Sequence, residues 1–315
     1  GYEVSGTVRR VSSPTNLWRL ADLGLLGRIN LIPADMTDVG SLIAAISQAQ
    51  PNEIFNLSAQ SFVGASFQMP HTTAQVDALG VLNVLEVIRY GDKSIKVYQA
   101  SSSEIYGGMV DSESLDENSP KNPASPYAVS KLFGFHTVRM YRKAYGIFAV
   151  NGILFNHDSI YRGLEFVSRK ITNHVAQVAL GLTKEKLRLG NLDAIRDFGF
   201  APICVESMWT MLQQDKPDDF VIATGIGHSV KEFVEYAFSL IDEDWREYTE
   251  VSQTEMRPLD VARLVGNPAK ARAQFGWSPQ VTFRELIEIM VEADIRRWKQ
   301  YKLGKNFPWD VVVGA

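Results

Sequence analysis

Apolar positions along this chain follow two alternating periods. Short runs rich in β-branched and aromatic residues recur at Tyr2–Val8, Ile29–Ile32, Glu53–Leu57, Ile95–Ala100 and Phe148–Phe155. Such runs predict strands buried in a sheet. Between them, apolar residues repeat every three or four positions over Val39–Gln48, Thr73–Tyr90 and Ala124–Tyr145, which predicts helices with one buried face. The alternation predicts an α/β fold, a doubly wound parallel sheet with right-handed crossovers. After Phe155 the rhythm changes. Amphipathic helices at Glu165–Leu180, Val230–Ile241 and Phe283–Tyr301 are separated by short extended pieces and polar loops. Two parts are therefore expected: residues 1–155 as the sheet domain, and 156–315 as a smaller C-terminal α/β lobe with some segments returning to the sheet.

A dinucleotide-binding sheet normally opens with a strand, a glycine-rich turn and a helix whose N-terminus holds the pyrophosphate. Here Gly1–Val8 reads as the second strand of such a Rossmann-type unit, with no glycine-rich turn before it. The expectation is that a first strand, turn and helix of about 25 residues are missing. Either the chain is a fragment or another segment fills the central gap. The opening strand ends in Arg9-Arg10. Arginine accommodates a 2′-phosphate where an acidic residue would bind the ribose hydroxyl, so the expected cofactor is NADP. Asp35, just past the next strand, suits either an adenine contact or a helix cap.

The richest chemistry lies at Ser101-Ser102-Ser103-Glu104, at the end of the Ile95–Ala100 run, and at Tyr127 and Lys131 downstream. A Tyr and a Lys four residues apart share one helix face. An ammonium there is expected to lower the phenol pKa toward that of a usable base. Ligands of open α/β sheets sit at the carboxyl ends of the strands. A hydroxyl, a carboxylate and an activated tyrosine at one cleft point to redox chemistry on a sugar carbon with proton removal from its neighbour.

Composition narrows the partners. A net charge of −4 over 315 residues argues against nucleic acid or an anionic membrane surface. The single cysteine, Cys204, fits a reducing compartment. With no apolar run of membrane-spanning length and no signal-peptide pattern, a cytoplasmic protein is expected. His71, His136, His174 and His228 are scattered without ligand spacing, so no metal is expected.

With these residues placed, the chain resembles the GDP-mannose 4,6-dehydratases of the extended short-chain dehydrogenase/reductase superfamily. The resemblance runs nearly end to end. It rests on Val8-Arg9-Arg10 and the serine-containing loop after it, on Asn56 to Gly64, and on Gln99 to Glu104 with Ser125 to Lys131. Gly152 to His157, Arg169 to Thr172, Leu187 to Ala194, Arg196-Asp197 and Arg257-Pro258 complete it. Ser103-Glu104 stands where dTDP-glucose dehydratases carry an Asp-Glu pair and where epimerases usually lack a carboxylate, which favours elimination. The resemblance implies Ser102, Glu104, Tyr127 and Lys131 as catalytic residues. It implies Arg9, Arg10, Asp35, Met36, Leu57, Ser58, Ala59, Gln60, Ser61, His157 and Arg162, with Tyr127 and Lys131, around NADP. Asn156, Lys170, Arg196 and Arg257 would contact the GDP moiety of GDP-mannose or a related GDP-sugar, with Asp260 on its ribose. A homo-oligomer is implied, the loop after Arg10 reaching a neighbouring subunit.

The chain departs from the family pattern at Pro202-Ile203-Cys204, where Ile203 replaces an Asp that could cap a helix over Val205–Leu212. Asp158, Ile160, Tyr161 and Thr72 also differ. Two other functions remain compatible with these residues. One is a dehydratase of another GDP-sugar, such as a GDP-heptose. The other is a non-catalytic GDP-sugar-binding subunit.

Overall fold

The computed structural model describes residues 1–10, 17–108 and 114–307. In chain order the main elements begin with strands β1 (Ser5–Val8) and β2 (Asn30–Pro33), helix α1 (Val39–Ala49) and strand β3 (Glu53–Asn56). Helices α2 (Pro70–Ala74) and α3 (Gly80–Tyr90) are joined by a π-helical turn at Gln75–Leu79. Strand β4 (Lys96–Ser102), helix α4 (Pro126–Tyr145) and strand β5 (Ala149–Leu154) follow. Beyond them come α5 (Val167–Ala179), α6 (Ala201–Leu212), β6 (Asp219–Ile222), α7 (Val230–Ser239) and α8 (Phe283–Lys302).

All the main-sheet pairings are parallel. Four strands run in the order β6-β5-β4-β3, and β1 pairs with β2 in a separate two-stranded piece. Among the described residues no backbone pairing joins β1 to β3. Side chains bridge that end instead: Trp209 Nε1 donates to the Tyr2 hydroxyl (2.9 Å), and Gln213 Nε2 donates to Glu53 Oε1 (2.8 Å).

Residues of β4 and β5 alternate between two cores, as the pleat requires. Val97 and Ala149 pack with Leu42, Val84, Ile88 and Val138 from α1, α3 and α4. Tyr98 and Val150 face the other way, onto Met208, Met211 and Leu212 of α6 and Phe220 of β6. A third core lies among α5, α7 and α8, around Val175, Phe233, Phe238, Ile287 and Met290. The chain after residue 156 thus has apolar packing of its own and also returns β6 to the main sheet. No helix among the described residues is long and apolar enough to cross a membrane.

Local signals explain most helix starts. Asp38 caps α1 through Gly40 N and Ser41 N, Ser125 caps α4, and reciprocal Ser229/Glu232 and Thr282/Glu285 boxes open α7 and α8. One expectation is corrected. The helix expected from Val205 begins at Ala201, with Pro202 in its first turn, where a missing N–H costs nothing. Ile203 is therefore inside the helix and does not occupy a capping position.

The C-terminal lobe is clamped by a buried ion pair. Arg169 Nη2 lies 2.7 Å from Asp294 Oδ1 with both side chains 1% exposed, and Thr172 Oγ1 donates to Asp294 Oδ2 (2.8 Å). Asp294→Ala leaves the guanidinium buried without this partner, and the expected loss is about 3–5 kcal/mol in urea denaturation. Arg169→Met with Asp294→Leu should recover most of it. A single-variant loss below about 1 kcal/mol would count against the clamp.

Candidate active site

Strand β4 delivers the first two groups. The Ser102 hydroxyl accepts from Glu104 N (3.2 Å) and starts a single 3-10 turn at Ser103–Tyr106, which presents Glu104 beside the strand end. Gly107 then reverses the chain at φ +59°, where a Cβ would stand 1.6 Å from the Asn122 carbonyl oxygen. Only glycine fits there. Helix α4 supplies the next two. Ser125 Oγ accepts from Ala128 N (3.1 Å) and Pro126 fills the first turn, so Tyr127 and Lys131 face β4. Lys131 Nζ donates to the Ala100 carbonyl (3.1 Å) and stands 5.6 Å from the Tyr127 ring centroid.

The expected lowering of the Tyr127 pKa by Lys131 is not what these groups show on their own. Burial pushes the phenol up, the Ser102 hydrogen bond opposes that, and Asp77 and Glu104 push it further. The ammonium is bonded to the Ala100 carbonyl. Burial also lowers Lys131, and the charge of Asp77 opposes that fall.

Asp77 escaped the sequence reading. It is fully buried on the π-helical turn, accepts from Gln60 N through Oδ1 (2.7 Å), and is pushed up to about 6, chiefly by burial. A signal existed: Asp77 falls on the same helical stripe as Val81, Val84 and Ile88, and a carboxylate on an apolar stripe is unusual.

These groups open on a cavity of about 1090 Å³ that reaches from the loop after β3 to the C-terminal lobe. Ser102, Glu104, Tyr127, Lys131, Asn156, His157 and Arg162 line it, as do Leu57, Ala59 and Ser61. On the lobe side three cations are each paired with a carboxylate: Lys170 with Glu255 (2.7 Å), Arg196 with Asp260 (3.4 Å) and Arg257 with Glu104 (3.4 Å). Asn191 also donates to Asp260 (3.3 Å). Arg162 is fixed by Asp158 (3.0 Å) and lies 3.7 Å from the Phe166 ring centroid. Asp158, noted above only as a family departure, thus orients a residue of the site.

The remaining residues of the sequence reading lie off the cavity wall. Arg9 and Arg10 are exposed beyond β1. Asp35 is occupied by Thr37, whose amide and hydroxyl bond its carboxylate (2.9 and 2.8 Å) and whose amide holds it below the usual carboxylate range. Met36 packs against Gly80, where a Cβ would come within 2.9 Å of it. Ser58 N donates to Asn56 Oδ1 (3.3 Å), and Gln60 turns its amide to Asp77. The serine-containing loop, residues 11–16, lies outside the described residues.

A dinucleotide fits the inner end on the chemistry of one wall residue. Ser101 Oγ lines the cavity and is buried without a hydrogen-bond partner among the described residues. A ribose hydroxyl or a carboxamide offers the donor such an acceptor needs.

Comparison with known proteins places this geometry. The family model described as GDP-mannose 4,6 dehydratase matches residues 1–290. GDP-mannose 4,6 dehydratase 2 of Arabidopsis thaliana is 44% identical over 313 residues, covering 96% of this chain and 83% of the relative. Among solved structures, dTDP-glucose 4,6-dehydratase from Bacillus anthracis in complex with NAD superposes with a TM-score of 0.82 at 20% identity, over 96% of this chain and 91% of that one. RMD from Pseudomonas aeruginosa, complexed with NADPH, gives 0.76 at 23% identity over 85% and 91%. The two structures share the Rossmann-type fold with this chain.

His157 allows a direct check on the site's electrostatics. Burial lowers its pKa, and Nδ1 sits 2.8 Å from the Phe155 carbonyl oxygen. It should carry less positive charge than a free histidine near pH 6, and its neutral form should hold the proton on Nδ1. Nitrogen-15 NMR reads both, and a neutral ring protonated on Nε2 would contradict the geometry.

Proposed function

The chain belongs to the GDP-mannose 4,6-dehydratase family, and we propose that Ser102, Glu104, Tyr127 and Lys131 carry the family's reaction in it. It is a lyase that dehydrates GDP-mannose with a nicotinamide cofactor. The convergence of those four residues on one cavity, opposite Lys170, Arg196 and Arg257, supports the assignment. A C6 hydroxyl leaves poorly and the C5 hydrogen is not acidic until C4 is a ketone. A nicotinamide bound there would supply a reversible hydride acceptor, which makes oxidation at C4 and reduction at C6 possible within one turnover. Tyr127 acts as the phenolate, held in that state by the Lys131 ammonium against the upward push of burial, and takes the proton of the C4 hydroxyl while Ser102 holds that oxygen. Glu104 removes the C5 proton and hands it to the departing C6 hydroxyl, which leaves as water. Reduction of the C5–C6 double bond needs a proton at C5, which the proton Tyr127 took from the C4 hydroxyl balances, so the product is a GDP-bound 4-keto-6-deoxy sugar and both tyrosine and cofactor end in their starting states.

Lys170, Arg196 and Arg257 are suited to the diphosphate, since arginine forks match phosphate oxygens and lysine adds a point charge. Asn156 and Asp260 fit the remaining polar groups of the nucleotide. Arg9 and Arg10, exposed at the end of β1, favour NADP over NAD through the 2′-phosphate.

The test incubates the chain with GDP-mannose and either NADP⁺ or NAD⁺ and follows the sugar nucleotide by mass. Loss of one water, faster with NADP⁺, is expected. Glu104→Gln should lower kcat by roughly 10²–10⁴ with the fold intact. Near-normal turnover of that variant would remove Glu104 from the mechanism.

A homo-oligomer is the state we expect in solution. Val129, Phe133 and Met140 form an exposed apolar stripe along α4, 55%, 43% and 52% accessible, and such a stripe on a helix face invites a partner. Phe133→Asp should reduce the light-scattering mass toward that of one chain. An unchanged mass would place the contact elsewhere.

A further inference from the structure

The reaction described above leaves one buried charge without a task. Asp77 has no exposed surface, although a carboxylate out of water is costly unless something compensates it. Its Oδ1 takes the Gln60 amide (2.7 Å), while its Oδ2 is buried with no hydrogen-bond partner among the described residues. An asparagine would accept the same hydrogen bond without the cost of a charge. The position itself is tightly held. It lies on the π-helical turn between α2 and α3, and a Cβ on Gly134 of α4 would come within 3.5 Å of the Asp77 carbonyl oxygen. π-helical turns often mark functional positions.

The charges around Asp77 come from few elements. Helix α4 brings Lys131 and Tyr127, both of which feel the Asp77 carboxylate. The loop after β3 brings the Gln60 amide. On α2, His71 is exposed; on α3, Glu86 is bonded to Arg89 and Tyr141 further along the helix. Lys131 is 4% exposed, and its ammonium has the neutral Ala100 carbonyl as its hydrogen-bond acceptor.

We propose that Asp77 is the counter-charge of Lys131, a positioning residue that keeps the lysine protonated and ties it to the seating of the cofactor loop 57–61. The proposal rests on Lys131 being catalytic, as read above. Because one Asp77 oxygen holds the loop and the carboxylate's field acts on the ammonium, the loop and the lysine share one anchor.

Asp77→Asn keeps the shape and the Gln60 bond and removes the charge. The folded-state pKa of about 6 lies above the ordinary 3.8. Asp77 therefore contributes stability below the ordinary value and loses it as pH rises through the folded one. At pH 7 the variant should melt at or above the wild-type temperature. Its kcat should nevertheless fall by about tenfold or more, with KM for GDP-mannose within about twofold. The alkaline limb of kcat should move to lower pH, since the lysine then loses its proton sooner. Wild-type kcat and an unmoved limb would overturn the proposal, as would a lower melting temperature with the pH profile in place. Lys131→Met, assayed beside it, separates the two readings. Normal turnover of that variant would defeat the catalytic role of Lys131 itself. An inactive Lys131→Met beside a wild-type-like Asp77→Asn would defeat only the counter-charge. If Asp77→Asn does not fold, Asp77→Ser carries the same comparison, and failure of both to fold assigns Asp77 a structural role instead.

Discussion

A buried ammonium sets the terms for the centre of this molecule. Lys131 is almost without solvent, and a lysine there survives as a cation only if fixed dipoles and charges replace water. The Ala100 carbonyl at the end of β4 is one such group, and the Asp77 carboxylate supplies opposing charge. Both depend on close docking of α4 against the sheet and against the π-helical turn. Gly134 permits the second contact, because a Cβ there would press on Val81 at 3.2 Å. Gly152 on β5 does the same for the sheet, giving way to the Tyr98 ring, whose hydroxyl would be 2.3 Å from a Cβ. The lysine, the tyrosine one turn before it and the strand end thus form one packing problem with few solutions.

The opposite wall follows a different logic. Lys170 and Arg257 are partly solvated while Arg196 is buried, and all three are already matched by carboxylates, so the first two can exchange partners with little reorganisation. In the proposed function a dianionic diphosphate would offer more charge than Glu255 or Asp260, and Arg257 bridges to Glu104 on the turn after β4. The lobe that carries these groups is joined to the sheet through Asp197. Its buried carboxylate accepts from Thr224 N (2.8 Å), Gly225 N (2.9 Å) and Gly266 N (3.3 Å), which fixes the end of β6 against the segment after Leu264. Burial raises the Asp197 pKa and these hydrogen bonds oppose that rise.

Much of this was legible in the chain itself. Period-two and period-three runs placed the strands and helices, because burial of one face or both is written directly in residue order. The Ser102, Glu104, Tyr127 and Lys131 set was legible for a similar reason, as each member sits at a strand end or on one helix turn where local spacing fixes direction. Cys204 was also visible, and its burial in the α6 core pushes its thiol up to about 12, so it is an inert packing residue at neutral pH.

Other features depended on contacts far apart in sequence. That the Asp77 carboxylate acts on Lys131 follows from the docking of α4 on a turn fifty-odd residues earlier, as does the loss of the simple Tyr127–Lys131 pairing to the Ala100 carbonyl. Asp158 as the anchor of Arg162 could not be separated from a random loop acid until Ser168 and Arg162 closed on it. The start of α6 at Ala201 was hidden because Pro202 reads equally as a breaker or as a first-turn residue, and only packing against β4 and β5 decides. Sequence alone determined most of the elements and most of the chemical groups at the site, Asp77 excepted, since those depend on local periodicity and residue type. Tertiary structure decided which charges are buried together and which partner each one takes, because desolvation and distance exist only once the chain is folded.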